Sequence, residues 1–266
     1  MIELQRTHDK RRVTFVTRQP LVYLDQWALS RIARQDLFCR RFLRTLRKHG
    51  TLMFSWASAA EVISLPDQSQ WRLREFIDAI GEHWFPLEVL PEAVRAREAS
   101  PGENSPCFDE DLVRQFAPQI PTGERFTLAR LLDFAADPGN GARDDLADCK
   151  AEFVKQLAEQ RKLEKASPGR AAGIFPVEPF DPRRPVRFVL HAVYREIIAD
   201  QGWAIAEDDA INLLQAVIAS AYSEFIVLEP SWFRRASHWP IPHYRVHFYS
   251  EATLETFLDD FDRRKV

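Results

Sequence analysis

Val22-Tyr23-Leu24-Asp25-Gln26-Trp27-Ala28-Leu29 decides the fold. An apolar run ends on an acid and passes at once into a helix-like sequence, the pattern of a buried strand feeding a helix in an open α/β sheet. Such sheets place their ligand sites beyond the carboxyl ends of the strands, so Asp25 is the first candidate for chemistry. Asp25 would also serve as a helix N-cap, because an aspartate there accepts backbone N–H bonds. A second stretch answers the first near the other end of the chain. Glu207-Asp208-Asp209-Ala210-Ile211-Asn212-Leu213-Leu214-Gln215-Ala216 reads as a helix, and the strand-like Glu224-Phe225-Ile226-Val227-Leu228 after it ends on Glu229.

Working outward, Thr51-Leu52-Met53-Phe54-Ser55 reads as a second buried strand, and Trp56 to Ile63 begins a helix straight after it. Glu61 lies early in that helix, where a carboxylate can face the same mouth of the sheet as Asp25. Gln26 to Ile32 and Leu37 to His49 read as helices, with Gly50 as a C-cap. Trp71 to Trp84 reads as a further helix and Phe85 to Leu90 as a short strand. Before the first core strand, Lys10-Arg11-Arg12 precedes a run from Val13 to Val16 that reads as an extra edge strand or a loose arm. From Glu92 to Pro185 prolines and glycines punctuate helical pieces, notably Arg125 to Ala136 and Asp144 to Ala166. Val186 to Ala199 resumes the core pattern, and Tyr244 to Tyr249 and Glu251 to Phe261 read as a last strand and a last helix. The expected architecture is therefore α/β: one domain over 1–266 with a central parallel sheet flanked by helices, and a mostly helical insertion over 92–185.

The 266 residues carry a formal net charge of -3, so no overall basic field advertises nucleic acid. Three widely spaced cysteines fit neither a disulfide framework nor a C-x-x-C zinc site. With no signal-like or membrane-length apolar run, a cytoplasmic protein without a membrane partner is expected. P-loop, nucleophile-elbow, H-E-x-x-H and dinucleotide-binding fingerprints are missing, and Asp25 has no second Asp two residues on.

The order strand with Asp25, strand then helix with Glu61, insertion, helix with Asp209, and strand ending on Glu229 resembles the PIN domain, a family of metal-dependent nucleases. The resemblance covers the two flanks of the chain. It implies a PIN-like fold and an endoribonuclease acting on single-stranded RNA, with Mg²⁺ or Mn²⁺ as cofactor. It implies Asp25, Glu61, Asp209 and Glu229 as catalytic carboxylates, and Asp25, Glu61, Asp209 and Asn212 as metal ligands, with Asp209 favoured over Asp208. Arg31, Arg34, Arg234 and Arg235 follow the two key strand ends and are candidate phosphate contacts. A toxin–antitoxin setting leaves room for a protein partner such as an antitoxin, and for a homo-oligomer. Three positions depart from the family pattern: Asn212 and Gln215 where an acid and a His are common, and Glu229 where Asp is common. Asn212 and Glu229 favour the alternative expectation, a catalytically weakened PIN-like module that binds RNA or a protein partner.

Overall fold

The computed structural model describes residues 2–7, 10–100, 102, 104–120, 124–242 and 245–264, and within them every side chain except those of 2–15, 67–70 and 208. The chain opens with an antiparallel pair, β1 (Ile2–Thr7) and β2 (Lys10–Phe15). This hairpin is a sheet of its own, so the basic run before Val13 belongs neither to an edge of the main sheet nor to an unpaired arm. Next, β3 (Leu21–Leu24) leads into α1 (Gln26–Arg34) and α2 (Asp36–His49), and β4 (Thr51–Phe54) into α3 (Trp56–Ile63) and α4 (Asp67–Ile80). After β5 (Trp84–Pro86) come α5 (Pro91–Ala99), α6 (Glu110–Phe116), α7 (Leu128–Ala136), α8 (Ala142–Ala166) and α9 (Arg170–Ile174). The chain returns through α10 (Pro185–Ala199), α11 (Glu207–Tyr222), β6 (Phe225–Val227), α12 (Pro230–Ala236), β7 (His247–Tyr249) and α13 (Leu254–Arg263). Of the expected last strand, Tyr244 lies outside the described residues.

The central sheet has five strands in the order β5-β4-β3-β6-β7, and every pairing is parallel. Both faces are covered, as a parallel sheet requires, and alternate residues feed two cores. Val22, Leu24, Leu52, Phe54, Phe225 and Val227 face a core completed by Phe42, Phe257 and Phe261. Tyr23, Met53 and Ile226 face the other, completed by Leu213, Val217 and Val189. The expected helix ending at Trp84 stops at Ile80 instead, and Trp84 sits fully buried in β5 with its indole N–H donating to the Phe126 carbonyl at 3.1 Å.

Gly50 closes α2 without a left-handed turn, at φ -120°. Its need for glycine is spatial: a Cβ there would come within 2.8 Å of the Phe261 ring. The middle stretch is helical but does not stand apart. Phe116, Phe126, Leu128 and Leu131 complete the first core, while Leu157 and Ala171 join the second. Among the described residues no helix is long and apolar enough to cross a membrane.

Candidate functional site

Because β3, β4, β5 and β6 run parallel, their carboxyl ends open on one edge of the sheet. Asp25 lies there, 3 % exposed, between the end of β3 and the first turn of α1. One carboxylate oxygen accepts from the Ala28 N–H at 2.7 Å, capping α1, and the other accepts from the Glu229 N–H at 2.6 Å. Asp25 is thus a helix cap and also a tie between two adjacent strand ends. Burial pushes its carboxyl up to about 7; the two backbone donors pull it back, and the charges of Glu229 and Glu61 raise it further.

Glu229 ends the β6 segment half-buried, where it starts α12, and the Ser231 hydroxyl donates to its carboxylate. Glu61 lies in α3, with the Lys150 ammonium of α8 at 3.7 Å; the two side chains are 11 % and 15 % exposed. Its charge reaches Tyr23 as well. Burial first, then Asp25 and Glu61, hold the Tyr23 hydroxyl well above its ordinary range, so it stays a hydrogen-bond donor. Tyr23 donates to the Gln215 side-chain carbonyl at 2.7 Å, Ser58 donates to the same oxygen at 3.2 Å, and the Gln215 amide donates to Ser55 at 2.8 Å. This buried network ties β3, the start of α3 and α11 together beside the acids. A buried polar group left unpaired there would cost roughly 1–3 kcal/mol.

Asp209 is placed differently from the other three acids. Its carboxylate accepts from the Ala206 N–H at 3.1 Å and its own N–H donates to the Ala206 carbonyl at 3.0 Å, which is a helix-start role. At about 100° per residue, position 208 falls within about 20° of Gln215 on α11, and position 209 about 120° away from it. Asn212 lies on the Gln215 stripe, one turn earlier. The backbone therefore aligns position 208, not 209, with the stripe that carries Gln215 to Tyr23 and Ser58.

The arginines nominated as phosphate contacts scatter. Arg31 pairs with Glu251 at 3.2 Å, Arg34 and Arg234 are exposed, and Arg235 lies 3.4 Å over the Trp203 ring. Sequence reasoning passed over Ser55, Ser58, Gln215 and Lys150. It also passed over a second acidic corner at the end of β5, where Asp109 caps α6 beside Glu88. In the sequence the late-helix Gln215 stands out only as a departure from a family pattern.

Asp25, Glu61 and Glu229 offer oxygen donors with an excess of negative charge, the chemistry that suits a hard divalent cation. Among the described residues no three His, Cys, Asp or Glu side chains form a ready-made metal-binding group. No family model matches the chain, and neither a curated protein nor a solved structure matches it.

Proposed function

We propose that this chain is a PIN-like, divalent-metal-dependent endoribonuclease acting on single-stranded RNA. The observation that carries the reading is Asp25: a buried carboxylate at the carboxyl edge of a parallel sheet, pushed up to about 7 by burial and by the neighbouring Glu229 and Glu61. A perturbed acid in a cleft is a functional-site candidate, and open α/β sheets place their ligands beyond the carboxyl ends of the strands. Mg²⁺ or Mn²⁺, when bound, supplies positive charge to the phosphodiester and eases deprotonation of an attacking water. Asp25 and Glu61 would hold it, with Glu229 at the rim and position 208 of α11 preferred to Asp209 for the helix contribution. The two backbone N–H groups orient the Asp25 carboxylate, so little of its freedom is left to lose on ion binding. The Tyr23–Gln215–Ser55–Ser58 network fixes the elements that carry the acids relative to one another.

The Lys150–Glu61 pair and Asn212 favour a second reading, a PIN-like module that binds RNA or a protein partner without cutting. One experiment separates the two. Purified protein is incubated with single-stranded RNA in EDTA and in Mg²⁺ or Mn²⁺, beside Asp25→Asn; cleavage that needs metal and Asp25 supports the nuclease. Binding of RNA without metal-dependent cleavage supports the module.

A further inference from the structure

An acidic mouth repels a phosphate chain, so a strand that reaches it needs positive charge held beside it and not already neutralised. Arg31 is paired with Glu251 at 3.2 Å. Arg235 is placed otherwise. Its guanidinium carbon lies 3.4 Å from the centre of the Trp203 ring, the separation of stacked planes, and no acid pairs with its side chain among the described residues.

Three elements build the support under it. Trp203 precedes α11, and its carbonyl accepts from the Arg161 guanidinium of α8 at 2.6 Å. Its ring packs at 5.6 Å and 58° against Trp232 of α12, which is 2 % exposed. The Trp232 indole N–H finds no acceptor among the described residues, so what that ring contributes is apolar area against Trp203 rather than a hydrogen bond. α12 itself starts at Glu229, whose carbonyl accepts from the Phe233 N–H at 2.9 Å. Trp232 and Arg235 follow Glu229 by three and six residues, the second a rise of roughly 9 Å along the helix. The stack thus joins the approach to α11 to the first two turns of α12, on the β6 side of the mouth.

Stacking decides what the guanidinium offers. Its N–H donors lie in one plane as a fork that matches two oxygens of a phosphate. Resting on an indole, the group has less freedom to lose on binding than the exposed Arg234 beside it. Trp203 has given a face to Arg235 and packs against Trp232, which favours phosphate contact over base stacking here.

We infer that Arg235 binds a phosphate of a nucleic-acid strand beside the acidic mouth, with Trp203 as a positioning residue that acts through it. The inference rests on the reading that this mouth takes single-stranded RNA.

The test is binding of a labelled single-stranded RNA, and of DNA of the same sequence, by fluorescence anisotropy in EDTA over a range of salt. The full chain is used as wild type, Arg235→Met, Arg235→Lys, Trp203→Ala and the double variant Trp203→Ala with Arg235→Met. Arg235→Met should bind both strands about tenfold more weakly, with a salt dependence shallower by about one counter-ion. Arg235→Lys should regain the salt dependence and only part of the affinity, because an ammonium has no fork. Trp203→Ala should weaken binding when Arg235 is present and add nothing in Arg235→Met, a coupling that a merely structural tryptophan would not show. Wild-type affinity and salt dependence in Arg235→Met overturn the inference, and so does a loss confined to RNA, which would mean a 2′-hydroxyl contact. Equal losses from Trp203→Ala with and without Arg235 remove its positioning role. Should Trp203→Ala not fold, Trp203→Phe takes its place and should keep most of the affinity, since a ring still carries the guanidinium; a loss as large as that of Arg235→Met overturns the role. Wild type that cleaves RNA with Mn²⁺ while Arg235→Met binds and cleaves as well leaves the nuclease standing without the inference. RNA binding that depends on Arg235, with no metal-dependent cleavage, does the reverse. Wild type that binds neither strand overturns both.

Discussion

Two aspartates, one at the end of β3 and one beside the end of β5 two strands away, are built alike and answer to different neighbours. Asp25 caps α1 and Asp109 caps α6; each is 3 % exposed, and each is pushed up to about 7, chiefly by burial. At Asp109 the acid next door is Glu88, which accepts from the backbone of Val89 and Leu90 and is gripped by Arg97 at 2.6 Å. That corner carries its own fixed cation and is closed. At Asp25 the acids next door are Glu229 and Glu61, and the ammonium near Glu61 stands off at 3.7 Å on a helix from elsewhere in the chain. A raised carboxyl alone therefore does not mark a site; its place at the carboxyl edge of the sheet and the acids beside it have to be weighed with it.

The largest effect that could break this contrast is on catalysis. Asp25→Asn should reduce metal-dependent RNA cleavage to background, and Asp109→Asn should leave it at the wild-type rate in the same assay. Equal losses would mean that both corners serve the site. Asp25→Asn also replaces the oxygen that accepts from Glu229 N–H with an amide that cannot accept. It should forfeit about 1 kcal/mol there, offset by relief of the buried charge, so its melting temperature should stay close to wild type.

Next in size is the choice between adjacent acids of α11. Asp208→Asn should weaken Mn²⁺ binding and cleavage together. Asp209→Ala should keep both and lose roughly 1 kcal/mol in thermal or urea unfolding, the cost of a lost helix-start contact. The opposite pattern would return the role to Asp209.

Smaller again is the pH dependence of stability. A carboxyl at about 7 in the folded chain and near 3.8 unfolded binds more protons folded than unfolded across that window. Folding stability attributable to Asp109 therefore falls as pH rises from about 4 to 7, at about 1.4 kcal/mol per pH unit where the difference is a whole proton. Asp109→Asn keeps the oxygen that accepts from Leu112 N–H and carries no charge. It should melt above wild type at pH 8, with the gap narrowing through pH 5 and closing near pH 4. A gap that is constant with pH would show that Asp109 keeps an ordinary carboxyl.

How far the chain's order could be read follows the range of the forces involved. β3, β4 and β6 announce themselves as apolar runs bounded by polar turns, because both faces of a parallel sheet are buried. Asp25, Glu61 and Glu229 stand out because an acid at a strand end is locally visible. The helix ending at Trp84 was misjudged because an aromatic fits the helical spacing, while its burial against Phe126 depends on residues far along the chain. Gln215 and Lys150 were legible only as a departure and a charge, since their meaning comes from α11 and α8 packing against α3. Asp208 and Asp209 are adjacent acids; only the position of Gln215 on the helix orders them.

The least effect, and the one that sharpens the contrast most finely, belongs to Asn212. It sits one turn before Gln215 on the stripe that faces Tyr23 and Ser58, in a helix that packs beside the acids. Asn212→Asp changes almost no volume and adds one negative charge. With Asp25 already held near 7 by burial and by Glu229 and Glu61, a further charge should lift it higher and lower the melting temperature in EDTA. The same charge should strengthen Mn²⁺ binding by less than about tenfold, because Asn already offers an oxygen and effective screening near a protein surface is strong. Calorimetry and melting read the two effects on one sample: a lower melting temperature in EDTA with tighter Mn²⁺ binding fits an acidic mouth that takes a divalent ion. A lower melting temperature with unchanged Mn²⁺ affinity would place Asn212 outside the ion's reach and leave the open corner to Asp25, Glu61 and Glu229.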